Sequence, residues 1–584
     1  GNQASEGIHV QNNDMTDTDH RATVNVNTEN TTIYADSALV AMSNSVLNVN
    51  SNLVTHGKNA ILTRGNSDVN INRDGKHTTQ LNGDIVFNYD GASSGTVIDS
   101  NVNVNLNGEG SFWTGNTKAE WNNGNEGKPD ADKMQVSHMT LQVENGAQWN
   151  PTSVKEVGND SASAGSQAVA LNSLKLNNGV VNLDSDKLDA NSPVKVEKIS
   201  GNGTITTNSL DNKLVIDDKA TGTKLKVEGS GEIGDKILAG KATLEDLAGT
   251  VKMKEGDKTA SDEVETQDGI IAGKMSAKVG ADGKIDASTV KRAIQQHNQA
   301  VSSMANLSLM TWRQENNDMN KRLGEVRASE GNQGIWARMA RGQSKYGAQG
   351  IKNQYNYYQL GYDTKISGDW ILGGAFTYTD GDSSYTNGSG TNKHTGFAVY
   401  GSNLRDDGSF IDLIAKYAHM KNDFDVNGGV GSGDYSTNGL SFSAEYGKRF
   451  QQEGYWIEPQ AELTYGRVSS ADFTTKNGAR VHQDSMDSLV GRLGFSLGKD
   501  IKQGNVYVRA SYLYDFQGDT SVTMSKGGAA TTFKTDLGGG WWEFGVGTNL
   551  DLGHDTHFYL DVETTAGGDV DTPWQWNAGV RYSF

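Results

Sequence analysis

PWQWNAGVRYSF, residues 573–584, is the stretch whose reading decides the fold. Trp574, Trp576, Ala578, Val580, Tyr582 and Phe584 alternate with Gln575, Asn577, Gly579, Arg581 and Ser583. A period of two puts the first set on one face of an extended strand and the second set on the other. The stretch stops on an aromatic, where a soluble domain more often frays into polar residues. A strand that is aromatic outside, carries Arg and Gln inside and stops at Phe reads as the closing strand of an outer-membrane β-barrel. The alternative is the edge strand of a soluble sandwich, and the segments before it favour the barrel.

From residue 334 onward about twelve alternating segments follow one another, starting near Gly334, Tyr355, Trp370, Thr395, Phe410, Gly439, Tyr455, Ser488, Val506, Trp541, His557 and Pro573. Most of the turns are short. The connection over residues 517–538 is longer and polar, as an extracellular loop would be. Alternation sorts the faces: Ile411, Leu413, Ala415 and Tyr417 oppose Asp412 and Lys416, and Ile457, Leu463 and Tyr465 oppose Glu458, Gln460 and Glu462. Arg492 opposes Leu489, Leu493 and Phe495, and Glu445, Arg449, Arg509, Glu543, Asp561, Glu563 and Arg581 also fall on the polar face. An apolar lipid face and a lumen of mixed charge are expected. A barrel of this size admits a helix but not a folded domain.

Composition agrees. The 584 residues hold 71 glycines and 5 prolines, which suits many strands and tight turns. There is no cysteine, as befits a chain that must thread through an oxidising periplasm without locking. No run approaches the roughly 20 apolar residues of a membrane helix, but barrel strands need none. The formal net charge of −19 argues against nucleic acid as a partner. Residue 1 is Gly and no signal peptide is visible, so the sequence is expected to start downstream of the natural beginning of the protein.

Residues 286–327 change character. Val290, Ile294, His297, Val301, Met304, Leu307 and Met310 recur every three or four residues, with Asp286 or Ser288 available as N-cap. The spacing predicts a helix that continues, polar nearly all round, through TWRQENNDMNKRLGEVR (residues 311–327). A polar helix with Arg313, Glu315, Lys321 and Arg322 suits a hydrated, charged pore; an ordinary interdomain linker helix is the alternative. His297 reads as packed or solvated, because no second ligand stands at metal spacing. No metal or other cofactor is expected.

Residues 1–165 are rich in Asn, Thr, Gly and Ser, with short alternating segments such as SVLNVN (residues 45–50) and NVNVNLN (residues 101–107). Their starts lie about 15 to 25 residues apart, the size of one turn of a β-solenoid. Inward Val, Ile and Leu would stack from turn to turn while Asn forms corners and polar ladders. A disordered Asn/Ser-rich tract is the alternative. Over residues 166–285 the apolar positions become denser and the turns centre on Gly and Asn, as expected of a well-packed solenoid end that could template and cap the rest. The fold class expected is therefore all-β: an N-terminal right-handed parallel β-solenoid passenger, a linker helix and a C-terminal twelve-stranded antiparallel transmembrane barrel. The expected domains are 1–165, 166–285, 286–327 and 328–584.

This arrangement resembles a monomeric autotransporter (type V secretion). ENNDMNKRLGEVR (residues 315–327) resembles the helical junction of the SPATE group, and GIWARMARG, GSFIDLIAKYAHMKNDF, YWIEPQAELTYGRV and AGVRYSF resemble that group's barrel strands. SGNGTITTNSLDNKLVIDDKATG resembles the autochaperone region of many passengers. The resemblance implies that the passenger is released inside the barrel by cyclisation of Asn316 onto its own carbonyl, with the amine of Asn317 as the leaving group. An amide is a poor nucleophile, so the reaction needs fixed geometry and a nearby carboxylate as proton acceptor. The resemblance assigns that role to Asp412, with Glu445 and Glu462 accompanying it and Arg492 orienting them; plain pore-lining ion pairs are the alternative. The chain departs from the group at Glu315 and Asp318, where the motif is more apolar. It also implies that Tyr582 and Phe584 are read by the barrel-insertion machinery and that outer-membrane lipid surrounds the barrel.

SPATE passengers are serine proteases, but residues 1–300 hold no Gly-Asp-Ser-Gly turn and no G-x-S-x-G elbow. Gly381-Asp382-Ser383 lies within the barrel region and reads as a turn. The passenger is therefore expected to be an adhesin or aggregation module, binding a host surface or another copy of itself. The alternative is the passenger of a secreted serine protease whose catalytic domain lies upstream of residue 1.

Overall fold

The computed structural model describes residues 4–14, 19–90, 99–121, 128–158, 164–322 and 331–584, with backbone alone over residues 318–322. The chain divides into two compact units, Gly1–Gly269 with Gly273–Ala293, and Ile270–Ala272 with Ile294–Phe584.

In the first unit parallel strands stack in three rows. One row holds Glu6–Gln11, Ser37–Met42, Asn59–Arg64, Asp84–Asn88 and Thr117–Trp121. The second holds Ala22–Val26, Ser45–Val49, Ser67–Ile71, Ser100–Asn107 and His138–Glu144. The third holds Asn30–Tyr34, Asn52–His56, Thr79–Asn82, Phe112–Thr114 and Gln148–Asn150. Each turn of chain supplies one strand to each row, which is a parallel β-solenoid. The sequence spacing had mixed two rows: equivalent asparagines in successive turns lie 23, 22 and 33 residues apart.

Both predicted devices are present. Leu39, Leu47, Val49, Leu53, Ile61 and Val69 are fully buried inside. Trp113 and Trp149 stack at 5.5 Å, and their indole nitrogens donate to the carbonyls of Gly83 and Gly115 in the preceding turns. Outside, the amide of Asn48 donates to Asn25, that of Asn70 to Asn48 and that of Asn103 to Asn70, at 2.9–3.0 Å. After Gly165–Ala168 the three-strand turns give way to two long strands, Leu171–Leu183 and Val194–Thr207, paired in parallel. The last parallel strand, Glu263–Thr266, takes an antiparallel partner at residues 276–278, so the open sheet edge is covered.

In the second unit twelve long antiparallel strands close on themselves. They are Gln333–Tyr346, Ile351–Lys365, Trp370–Tyr385, Gly388–Leu404, Ser409–Val426, Gly433–Lys448, Tyr455–Val468, Met486–Ile501, Gly504–Asp515, Gly539–Asp551, Thr556–Ala566 and Val570–Ser583. The last pairs with the first from Gly334↔Ser583 to Tyr346↔Val570, which closes the barrel. Phe584 extends the seam, exchanging two backbone hydrogen bonds with Gln333. The closing strand alternates as its sequence requires: Gln575, Asn577, Arg581 and Ser583 are buried, whereas Val580, Tyr582 and Phe584 are exposed. Phe376, Phe397, Phe442, Leu463 and Leu493 continue this apolar outer belt. Lumenal rings press on bare backbone of the next strand: a Cβ on Gly361 would lie 2.2 Å from Trp336, so no larger residue fits there.

One expectation needs correction. The helix runs Gln299–Arg322 and does not begin near residue 286. Asp286 does cap, but it caps the three-residue 3-10 turn Ala287–Thr289, and Lys291–Ile294 is an exposed strand. Val290 and Ile294 fit a helical period by coincidence. The predicted end near residue 327 lies outside the described residues. The long polar connection over residues 517–538 also carries strands of its own. Asp519–Lys526 and Ala529–Asp536 form a hairpin that joins a second hairpin, Ala471–Thr474 with Arg480–Gln483, in a four-stranded sheet beyond the barrel wall.

Candidate functional site: a helix inside the barrel

The helix Gln299–Arg322 lies in the lumen, where every residue from Ala300 to Trp312 is buried. Ala300, Ala305, Leu307, Leu309 and Met310 are good helix formers. The hydroxyls that share their surroundings bond back to the preceding turn: Ser303 to the Gln299 carbonyl, Ser308 to Met304 and Thr311 to Leu307. The expected polar helix in a wet pore is instead a helix enclosed by the wall, with buried Ser302 Oγ left without a hydrogen-bond partner.

Depth and rotation are set by Trp312. Its ring lies over Gly439, where a Cβ would come within 2.8 Å, and its indole nitrogen donates to the Leu440 carbonyl at 3.2 Å. Lys416 Nζ stands 5.1 Å from the ring centre. The next five residues are each bonded to a different part of the wall. Arg313 pairs with Asp515 at 2.9 Å and donates to the Leu537 carbonyl at 2.8 Å. Gln314 donates to Gln575 of the closing strand at 3.0 Å. Glu315 is bonded to His394 at 2.9 Å and to Thr379, with Lys416 Nζ at 3.9 Å. Ser441 Oγ donates to Asn316 Oδ1 at 3.1 Å. Asn317 Nδ2 donates to Glu543 Oε2 at 2.8 Å.

The four wall residues singled out from the sequence are brought together. Asp412, Glu445, Glu462 and Arg492 are directly opposite one another on four consecutive strands, one arc of the lumen wall, and all are buried. Arg492 is 3.1 Å from Glu445 and 3.6 Å from Glu462, and it donates to Gln460 at 2.9 Å. Asp412 accepts from Ser402 at 2.6 Å. Ser441, which holds Asn316, is opposite Lys416, four residues along the strand from Asp412. Four residues of strand span about 13 Å. Glu462 comes nearer, lining with Asn316 and Asn317 a cavity of about 260 Å³ between helix and wall. Arg581 belongs to neither group: it pairs with buried Asp363, far from Asn316 in register.

Sequence reasoning had put Glu543 on the polar face without giving it a role. It passed over Ser441, an ordinary polar position in an alternating strand. His394 was missed because the strand was started at Thr395, whereas it begins at Gly388.

A twelve-stranded barrel with an apolar outer belt, a charged lumen and a helix threaded through it defines an outer-membrane translocator of the kind that carries its own chain. The comparisons agree. Residues 335–563 match the family model described as autotransporter beta-domain, a family whose barrels lie in the outer membrane. The pertactin autotransporter of Bordetella parapertussis is 33% identical over 294 residues, covering 48% of this chain and 32% of that protein. The serine protease pet autotransporter of Escherichia coli is 34% identical over 282 residues, covering 46% of this chain and 22% of that protein. The match thus takes in about a third or less of the relatives' length. Among solved structures, the beta domain of the Bordetella autotransporter Brka is 26% identical with a TM-score of 0.36, covering 43% of this chain and all of that one.

Proposed function

We propose that the barrel carries the β-solenoid to the cell surface and then releases it by cutting its own lumenal helix at the pair Asn316–Asn317. An asparagine amide attacks its own carbonyl, a succinimide forms and the following residue leaves as an amine. One observation carries this reading: two adjacent asparagines are held by named wall residues beside a cavity that Glu462 also lines. Fixed geometry and an adjacent carboxylate are what an amide nucleophile needs. Asp412, Glu445 and Arg492 belong to the charged arc on the wall and would set the field at the pair. The partners proposed are outer-membrane lipid around the belt and the insertion machinery at Tyr582 and Phe584. The test is the purified chain, reconstituted in detergent without any protease. Scission within the helix, giving a heat-resistant membrane fragment, is expected; a chain that stays whole overturns the reading.

For the passenger, the adhesin reading rests on the outward amide ladders, which offer donors and acceptors in rows to a glycan or a second solenoid. The names of the serine protease autotransporters among the relatives favour a second reading, a protease passenger with its catalytic domain upstream. The sequence of the full-length gene product distinguishes them.

A further inference from the structure

Four neighbouring strands, Trp370–Tyr385, Gly388–Leu404, Ser409–Val426 and Gly433–Lys448, set their outward side chains in level rows, because residues directly opposite share a face. Phe376, Phe397, Tyr417 and Leu440 form one row of the apolar belt, and all are exposed. The next row is Tyr378, Thr395, His419 and Asn438. Tyr417 Oη donates to Asn438 Oδ1 at 2.8 Å, and His419 Nδ1 lies 3.2 Å from the same oxygen. The third row is Asp380, Lys393, Lys421 and Ser436, and the fourth is Asp382, Thr391, Asp423 and Asp434. Successive rows are two residues apart, about 7 Å along a strand. They climb toward the end of the barrel that carries the long connections and the four-stranded sheet, which in outer-membrane barrels is the extracellular end. Above the belt the wall thus passes from a mixed aromatic and polar row to a pair of lysines and then to carboxylates.

Lys393 and Lys421 are directly opposite each other and exposed. Like charges so placed repel. Among the described residues neither lysine is in an ion pair, although Asp380 stands opposite Lys393. Arg467 makes the contrast: it lies opposite Leu440 on the same outer wall and has Asp487 at 3.3 Å.

We infer that Lys393 and Lys421 together hold the phosphate of a lipid headgroup in the outer leaflet. This deepens the proposed contact with outer-membrane lipid and owes nothing to self-cleavage. A phosphate between two ammonium groups turns their repulsion into two charge-assisted hydrogen bonds. Its height is fixed from both sides. Asp423 and Asp434, directly opposite each other one row up, repel an anion, and the row of Phe397 and Tyr417 lower down takes acyl chains. Thr391, Thr395 and Ser436 flank the lysines with hydroxyls, which suits a headgroup built on sugar.

The experiment titrates the purified full chain, in an uncharged detergent, with diphosphoryl lipid A and counts bound lipid by native mass spectrometry. Lys393→Gln combined with Lys421→Gln should weaken binding about tenfold or more, as expected for two lysines at a lipid surface, while the barrel keeps its compact, heat-modifiable migration. Lys345→Gln combined with Lys352→Gln removes the same charge from another exposed, directly opposite pair, four residues further up its strands than the third row. That variant should bind like the parent. Dephosphorylated lipid A should bind far more weakly than the diphosphoryl form, and inorganic phosphate at the same concentration should displace neither. Unchanged binding in the Lys393 and Lys421 variant, equal loss in the Lys345 and Lys352 variant, or equal binding of the dephosphorylated lipid overturns the site. Displacement by inorganic phosphate overturns the assignment to a lipid.

Discussion

Arg581 and Asp363 are a buried pair that bridges the seam between the last strand and the second, across the first, with side chains only 2% and 1% exposed. Tyr400 donates to the same carboxylate at 2.7 Å and itself accepts from Trp336. Removing one partner of such a pair leaves a buried charge uncompensated, which costs about 3–5 kcal/mol. Arg581→Ala is therefore expected to lower markedly the temperature at which the barrel loses its compact migration, and Arg581→Met with Asp363→Leu to recover most of the loss. Outside the wall, His482 lies between Asp472 at 2.7 Å and Asp484 at 2.9 Å. The hydrogen bond to Asp472 leads in raising its pKa above the ordinary imidazole value. A raised folded-state pKa means that the contribution is complete below about pH 6.5 and fades as pH climbs through the folded value. Titration of the His482 ring signal should show its midpoint fall in Asp472→Asn; an unchanged midpoint would remove this account. At this scale much of the arc Asp412–Glu445–Glu462–Arg492 was legible, since strand alternation alone puts those residues inward. Their distance from Asn316 was not, because nothing local to either stretch encodes how deep the helix sits.

The lumenal helix is held at one depth by shape as well as by polar bonds. Trp312 fits only because Gly439 has no side chain beneath it. Gly439→Val is expected to unseat the helix, seen as a several-fold rise in single-channel conductance over the wild type; equal conductance would mean that the polar bonds alone position it. The helix start was misread because the stripe from Val290 to Met310 keeps its period across a strand and a 3-10 turn. Periodicity reports which residues could share a face, and only tertiary surroundings decide where winding begins. The two hairpins beyond the wall were missed for a related reason. Their strands are short and mostly polar, so they carry a turn-rich signal indistinguishable from loop until they pair with each other. In the solenoid, Trp113 and Trp149 stack fully buried. Trp149→Ala is expected to cost about 3–5 kcal/mol, read as a lower denaturant concentration for proteolytic loss of the passenger.

As a whole the molecule joins two architectures with opposite folding demands. The barrel buries its polar groups within and exposes apolar residues to lipid; the solenoid does the reverse. Both were readable because each repeats a period of two many times over, and repetition outweighs the ambiguity of any one segment. Row assignment in the solenoid was less so. ATVNVN and DIVFNYD look alike in sequence yet belong to different rows, Ala22–Val26 in one and Asp84–Asn88 in another. Only parallel pairing between turns separates them.

The amide ladder has a consequence for inheritance. Asn48, Asn70 and Asn103 each donate the same bond to the turn before, although the intervening chain is 23, 22 or 33 residues long. A turn is thus an interchangeable unit whose neighbours cannot register its removal. Excising residues 48–69 joins Leu47 to Asn70 and leaves Asn70 where Asn48 had been, opposite Asn25. The shortened passenger should assemble and resist protease like its parent. A gene that drops or duplicates such a stretch by recombination would change how far the passenger reaches without redesigning any contact in it.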